Sequence, residues 1–196
     1  GDTLDESARQ QIYTDIYSES MWLIEMVENL LYATRIEDGR MQLNISVEIL
    51  EDIVQEAVRH TKRTHPKRNI IVDMYDEIIP VMADANLIVQ VIVNLMDNAV
   101  KYSPVGSTVT IRAATTVPFL RLEVKDEGIG IPRENYHKVF QRFYRGEAPL
   151  VQKEEGSGVG LYLARRIIEG HNGTISLDAR RMTKEPGSVF VIQLPL

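Results

Sequence analysis

The opening stretch limits what this chain can fold into more than any other feature. Between residues 5 and 36, Ile12, Ile16, Leu23, Val27, Leu30 and Thr34 recur at helical steps, flanked by Met26 and Leu31. That spacing lines one face of a single helix, interrupted only at Ser20. At ~1.5 Å per residue the helix would be about 48 Å long, more than a small domain is wide. Such a helix has to lie partly outside the domain that follows and find a partner helix. Glu37-Asp38-Gly39 supplies the stop, with Gly39 as the expected C-cap. The sequence therefore predicts two parts, residues 1–39 and residues 40–196.

The second part alternates between strand and helix signals. Residues 41–46 read as a short strand and 47–63 as a helix, with Ile49, Leu50, Ile53, Val54, Ala57 and Val58 on one side. Residues 69–74 and 78–82 read as strands. Residues 84–101 form a strongly apolar helix with Asp84 as N-cap. Residues 109–114 and 119–125 suit a hairpin, and 132–140 a short helix. A polar stretch, 144–156, has little periodicity and reads as a mobile loop. A helix over 159–169 ends at Gly170, and 174–179 with 188–194 form a closing hairpin. Strand runs with helices between them predict an α/β (α+β) two-layer sandwich. Its sheet is expected to be mixed and mostly antiparallel, with helices on one face, beside the long N-terminal helix.

Charge and composition remove several functions. With 28 acidic against 22 basic side chains in 196 residues, the net charge is −6, the opposite of a duplex-coating protein. No nucleic-acid partner is expected. Cys is absent, which removes disulfides, thiolate metal sites and a thiol nucleophile. No apolar run approaches the ~18 residues that cross a bilayer, so a soluble piece is expected. An opening Gly-Asp-Thr without Met suggests part of a longer protein.

Four segments carry chemistry. In Asn94-Leu95-Met96-Asp97-Asn98-Ala99-Val100-Lys101-Tyr102, the residues Asn94, Asn98 and Lys101 share one stripe of an otherwise apolar helix. Two amide oxygens and an ammonium so aligned suit a hard cation bound to phosphate oxygens. In Asp126-Glu127-Gly128-Ile129-Gly130, a carboxylate ends an apolar strand, and two glycines let the chain approach a flat ligand. An ionised Asp126 only accepts hydrogen bonds, which fits the exocyclic amino group of a base. Phe140-Gln141-Arg142-Phe143-Tyr144-Arg145 places two phenylalanines and cations at the base of the loop. Gly156-Ser157-Gly158-Val159-Gly160-Leu161 opens a helix, where exposed N–H groups attract phosphate. Its spacing matches neither the dinucleotide fingerprint nor the P-loop.

Together, in this order, the four segments resemble the ATP-binding domain of bacterial sensor histidine kinases, which shares its fold with gyrase-type and heat-shock-chaperone ATPases. The resemblance covers residues from about 5 to the end. It matches 94–102 to the N box, 126–130 to the G1 box, 140–143 to the F box and 156–160 to the G2 box. It implies that Asn98 holds Mg²⁺ with help from Asn94, and that Lys101 and Tyr102 contact phosphates or sugar. Asp126 would read the adenine of ATP in a pocket shaped by Gly128 and Gly130, above Phe140 and Phe143. Gly156, Gly158 and Gly160, with Leu161 behind them, would hinge a lid and cap the phosphates, and Arg145 would reach the γ-phosphate. Asn94, Lys101 and Arg145 are thus the expected catalytic set. In hydrolytic relatives a Glu stands where Asn94 stands here. An amide is no general base, so ATP is expected to be held for transfer to an imidazole.

The long helix fits the same resemblance. Leu30-Leu31-Tyr32-Ala33-Thr34-Arg35-Ile36-Glu37-Asp38-Gly39 is similar to the end of the second helix of the family's phosphoacceptor hairpin. None of His60, His65, His137 and His171 sits in an acceptor motif; all four are expected to be structural or surface residues. The chain is therefore expected to begin between the two hairpin helices and to lack the acceptor. Implied partners are that helix, a second protomer and a response regulator. The implied location is cytoplasmic, with the parent protein attached to the inner face of a bacterial plasma membrane. Met82-Ala83-Asp84 followed by Gln90-Val91 is similar to several kinase subfamilies, among which the osmosensitive potassium-channel sensors are favoured. A nucleotide-binding scaffold and an ATP-hydrolysing conformational switch are the competing readings.

Overall fold

The computed structural model describes residues 5–37, 42–74, 78–154, 156–182 and 186–196. The chain divides into two compact units, Gly1–Met41 and Gln42–Leu196.

The first unit is one helix, α1 (Glu6–Glu37), 32 residues long, with Glu6 in its first turn and Arg35 in its last. Those end charges complement the helix dipole. Ile12, Ile16, Leu23 and Val27 of the apolar stripe are between 41 and 56 % exposed, so nothing within this unit buries them. The side chain of Leu30 and the expected Gly39 cap lie outside the described residues.

The second unit is built on a five-stranded sheet of order β2-β4-β5-β7-β6, beside a two-stranded sheet of β1 and β3. In chain order it runs β1 (Ser46–Ile49), α2 (Leu50–Thr64), β2 (Asn69–Met74), β3 (Pro80–Ala83), α3 (Ala85–Lys101), β4 (Thr108–Thr116) and β5 (Phe119–Lys125). It continues with α4 (Pro149–Lys153), α5 (Gly160–Gly170), β6 (Thr174–Leu177), α6 (Ala179–Met182) and β7 (Val189–Pro195). Among the described residues only the β2–β4 pair is parallel; the other pairs are antiparallel. The expected mixed, mostly antiparallel sheet is thus observed, with helices packed on it.

Alternation explains the layers. Val109, Ile111 and Ala113 of β4, and Leu120, Leu122 and Val124 of β5, are fully buried, while their neighbours are half-exposed. They meet α3, whose stripe Leu87, Ile88, Val91, Ile92, Leu95, Met96, Ala99 and Val100 is buried. Each such Leu or Ile contributes ~1.5–3 kcal/mol. The half-exposed side of the sheet carries ion pairs instead, Arg112 with Asp73 and Arg121 with Glu123 and Asp178.

Four expectations shift. No strand forms over 42–45; pairing with β3, Ser46 opposite Ala83 and Ile49 opposite Pro80, moves β1 to Ser46–Ile49. The helix predicted over 47–63 accordingly starts at Leu50. The stretch 132–140 is not one helix but two 3₁₀ turns, Arg133–Asn135 and Lys138–Phe140. Within the predicted loop, Pro149 at the first position of α4 starts a helical turn, where its missing N–H costs nothing.

Two polar links fix α3 against α5. Asp84 caps α3, accepting from Leu87 N–H (3.3 Å) and, through its other oxygen, from Asn44 N–H (3.0 Å). Its own backbone N–H donates to Nε2 of His171 (3.0 Å), and Nδ1 of His171 meets the Ile167 carbonyl at 2.8 Å. Nε2 must accept and Nδ1 must donate, so this imidazole is the neutral Nδ1–H tautomer. His171 is only 3 % exposed and joins the end of α5 to the start of α3. His171→Ala leaves the Asp84 N–H without its acceptor, while the Ile167 carbonyl keeps its helical bond from the residue 171 N–H. It is expected to lower stability by about 1–3 kcal/mol in urea unfolding. A loss within about 0.5 kcal/mol would show that the link contributes nothing net.

Candidate functional site

At the far end of α3 the apolar stripe gives way to amides. Asn94 and Asn98 are half-buried, one turn apart, and Lys101 is exposed in the last turn. The Asn94 side-chain N–H donates to the Gly160 carbonyl at 3.3 Å. A Cβ on Gly160 would come within 2.7 Å of Asn94 Oδ1, so any larger residue there would displace the Asn94 side chain. Tyr102 caps α3, its N–H bonded to the Asn98 carbonyl (3.1 Å). Burial pushes the Tyr102 hydroxyl pKa up, and the nearby Arg145 charge opposes that.

The second segment meets the first through backbone. The Tyr102 carbonyl accepts from Ile129 N–H at 3.2 Å, and a Cβ on Gly128 would lie 2.4 Å from it. Asp126, 5 % exposed, ends β5. Its Oδ1 accepts from Gly128 N–H (2.8 Å) and Ser188 N–H (2.9 Å). Burial raises the Asp126 pKa, and the two N–H bonds pull it back only in part.

Gly187 and Ser188 were not anticipated from the sequence. Gly187 has φ +94°, and a Cβ there would stand 2.0 Å from the Asp126 carbonyl oxygen. Gly130, φ +70°, packs against the Gly187 carbonyl. The signal was a Pro-Gly-Ser turn before an apolar strand, which alone means only a turn.

The third and fourth segments interlock. Phe140 is buried, edge-on to Phe190 at 6.3 Å. Phe143 is 60 % exposed, in left-handed backbone (φ +62°), with the Arg142 guanidinium 4.9 Å above its ring. Its N–H donates to the Gly158 carbonyl (3.0 Å), and Gly158 (φ +68°) would collide with Phe143 if it carried a Cβ. The first turn of α5 has no side-chain cap, so its N–H groups suit an anion. Leu161 is half-buried in that turn, and Gly156 has open space at its Cβ position.

Arg145 differs from expectation: its guanidinium bonds the Val151 and Glu154 carbonyls, capping α4 within its own loop. Asp97 lies off the amide stripe, 3.9 Å from Nε2 of His65. Among the described residues, no group of three or more His, Cys, Asp or Glu side chains could hold a metal. No described helix is long and apolar enough to cross a membrane.

The two glycine environments predict different costs. Gly106 has φ +86° and open space around it, so Gly106→Ala should cost only the ~1–2 kcal/mol of backbone strain. Gly187→Ala adds a collision with the Asp126 backbone and should cost about 3 kcal/mol or more. Urea unfolding of both variants checks the difference.

A family model described as "Histidine kinase-, DNA gyrase B-, and HSP90-like ATPase" matches residues 83–196. The sensor protein KdpD of Clostridium acetobutylicum is 33 % identical over 195 residues, all of this chain but 21 % of that protein. The sensor histidine kinase WalK of Bacillus subtilis is 34 % identical over 183 residues, 91 % of this chain and 29 % of WalK. The full-length ShkA structure in complex with AMPPNP superposes with a TM-score of 0.78 at 22 % identity, covering 99 % of this chain and 40 % of that one; it bears on the fold alone. The chain thus spans less than a third of the length of these two relatives. Since the family model covers more than half of its residues, the chain belongs to the histidine kinase-, DNA gyrase B- and HSP90-like ATPases, as a catalytic domain of the sensor-kinase type.

Proposed function

We propose that this chain binds Mg²⁺-ATP between α3 and α5 and delivers the γ-phosphoryl group to a histidine on a phosphoacceptor helix. The carrying observation is the Asn94–Gly160 contact, because it sets the amide stripe of α3 beside the uncapped N-terminus of α5. One element offers oxygen ligands for a hard cation, and the other offers N–H groups for phosphate. AMPPNP, the ligand of the ShkA structure, is an ATP analogue and supports the same nucleotide.

The donor set fits Mg²⁺ on one condition. Amide oxygens are hard but neutral, so the ion's charge must be balanced by phosphate oxygens that arrive with the nucleotide. Asn98 would hold it, with Asn94 Oδ1 one turn away. When bound, the ion neutralises phosphate charge; positioning falls to the protein. Lys101 and Tyr102 would sit against phosphate or sugar. Oδ1 of Asp126 already accepts two backbone N–H groups, so Oδ2 is assigned to the adenine amino group. Phe140 anchors the loop base, and residues 144–156 would act as the lid. Arg145 would have to exchange the α4 carbonyls for a γ-phosphate oxygen as that lid closes.

Asn94 offers no base to activate water, which favours transfer over hydrolysis. We take residues 1–39 to be the second helix of the phosphoacceptor hairpin and 40–196 the catalytic domain. The exposed stripe of α1 would pair with the acceptor helix and with a second protomer. A response regulator would receive the phosphoryl group. The match to a sensor protein along the whole chain supports a sensor parent; the potassium-channel sensor subfamily and attachment of the parent to a membrane are proposed on the resemblance alone.

Calorimetric titration with AMPPNP tests the assignment. Asn98→Ala should lose the Mg²⁺-dependent part of the affinity while the far-UV spectrum stays unchanged; undiminished affinity removes Asn98 from the site. Asp126→Asn should be at least as stable as the parent at neutral pH, since an amide oxygen still accepts the two N–H groups and the buried charge is gone. It should nevertheless bind AMPPNP roughly tenfold or more weakly. Because burial raises the Asp126 pKa, the native state takes up a proton at higher pH than the unfolded chain. The buried charge therefore lowers stability above the raised pKa, and this loss is recovered as pH falls through it. Adenosine affinity should move the other way and fall over that window, above the ordinary carboxylate range, if the ionised form reads the base. An affinity flat with pH, or equal competition by ATP and GTP, contradicts the Asp126 assignment.

A further inference from the structure

Lys101 and Tyr102 stand where α3 gives way to the connection, residues 102–107, that leads into β4; Asn69 Nδ2 donates to its Gly106 carbonyl at 3.3 Å. Residues 104–106 are exposed, with Val105 99 % so, and Gly106 turns the chain at φ +86°. The end of α3 also has a built-in defect. A carbonyl in a helix pairs with the N–H four residues on, and four residues beyond Val100 stands Pro104, which has none. The Val100 carbonyl therefore needs a donor from elsewhere.

Arg68, just before β2, supplies it. Its Nη2 donates to the Val100 carbonyl at 2.9 Å. Its Nη1 donates to the Pro104 carbonyl and to Ser107 Oγ, the latter at 2.9 Å. Ser107 Oγ in turn donates to the Pro104 carbonyl at 2.7 Å. A cation at a helix C-terminus is favourable in itself, and only a planar fork spans three acceptors this way. From the opposite side, Glu127 Oε2 accepts from Thr108 N–H (3.0 Å), and Ile129 N–H meets the Tyr102 carbonyl.

We propose that Arg68 is a positioning residue for the nucleotide site: its guanidinium clamps residues 100–107 and so sets Lys101 and Tyr102 against the bound phosphate and sugar. The proposal rests on the nucleotide reading above. It assigns Arg68 no contact with ATP; Arg68 acts through the backbone that carries the contacting side chains.

Arg68→Met, Arg68→Lys and Arg112→Met separate this from a general loss of stability. Arg112 also belongs to the β2–β4 pair, where it meets Asp73 at 3.0 Å, and serves as the control. Mg²⁺-AMPPNP affinity is measured at a temperature where every variant is folded by circular dichroism. Arg68→Met should bind roughly tenfold more weakly. Arg68→Lys, which keeps a cation at Val100, should fall about threefold, and Arg112→Met should match the parent. Amide exchange over residues 101–108 should speed up in Arg68→Met while the α3 core stays protected. Binding by Arg68→Met within about twofold of the parent, or an equal loss in Arg112→Met, overturns the proposal. Should Arg68→Met fail to fold, Arg68→Lys carries the test, because a point cation cannot span all three acceptors; parental affinity together with parental amide exchange over 101–108 there overturns the clamp. A parent chain that binds no Mg²⁺-AMPPNP condemns the nucleotide reading instead, and amide exchange over 101–108 then still decides whether Arg68 holds the segment.

Discussion

The alignment of α3 along α5 is the constraint on which the site depends. Apolar burial holds the two helices together along their length, but apolar contact has no direction and tolerates sliding. Direction comes from polar links at both ends: His171 with the Asp84 backbone at one, Asn94 with Gly160 at the other. Each link is directional and lies in partly or fully buried surroundings, where a broken hydrogen bond is not repaired by water. A slip of one residue along the helices would break both. The amide stripe and the uncapped helix end therefore keep one relative position.

The turn after β5 is organised around a single oxygen. Asp126 Oδ1 gathers N–H groups from the turn after β5 and from the start of β7. Two neighbouring strands thus close on one buried carboxylate, and the chain must pass close to it on both sides. The glycines follow from that crowding: 128 lies against Tyr102 and 187 against Asp126 itself. Burial also keeps the carboxylate short of solvent, which raises its pKa.

Much of the architecture was legible because each signal was local. The β2 boundaries, the Asp84 cap and the β4–β5 hairpin follow from period, capping chemistry and β-branched runs. The four chemical segments were legible for the same reason, since residue type and spacing within a helix or turn are local facts. Elements whose limits depend on a partner were misread. The start of β1 is decided by β3, and the predicted 132–140 helix is too short and too irregular to sustain more than 3₁₀ turns. The loop also gained a turn of helix, whose carbonyls Arg145 caps; that side-chain choice leaves no trace in periodicity.

The sequence by itself determined the long helix, the mixed sandwich, the amide stripe on α3 and the glycine run before α5, because these are properties of neighbours along the chain. It also determined that a carboxylate, Asp126, follows an apolar strand. Only the tertiary structure decided that Gly187 and Ser188 complete the Asp126 pocket, that His171 joins two helices, and that Arg68 closes the frayed end of α3. Those roles join residues tens of positions apart, from 32 for Arg68 and Val100 to 87 for Asp84 and His171. Over such separations, partners are chosen by how the buried layers bring backbone groups into donor–acceptor range, which no local pattern encodes.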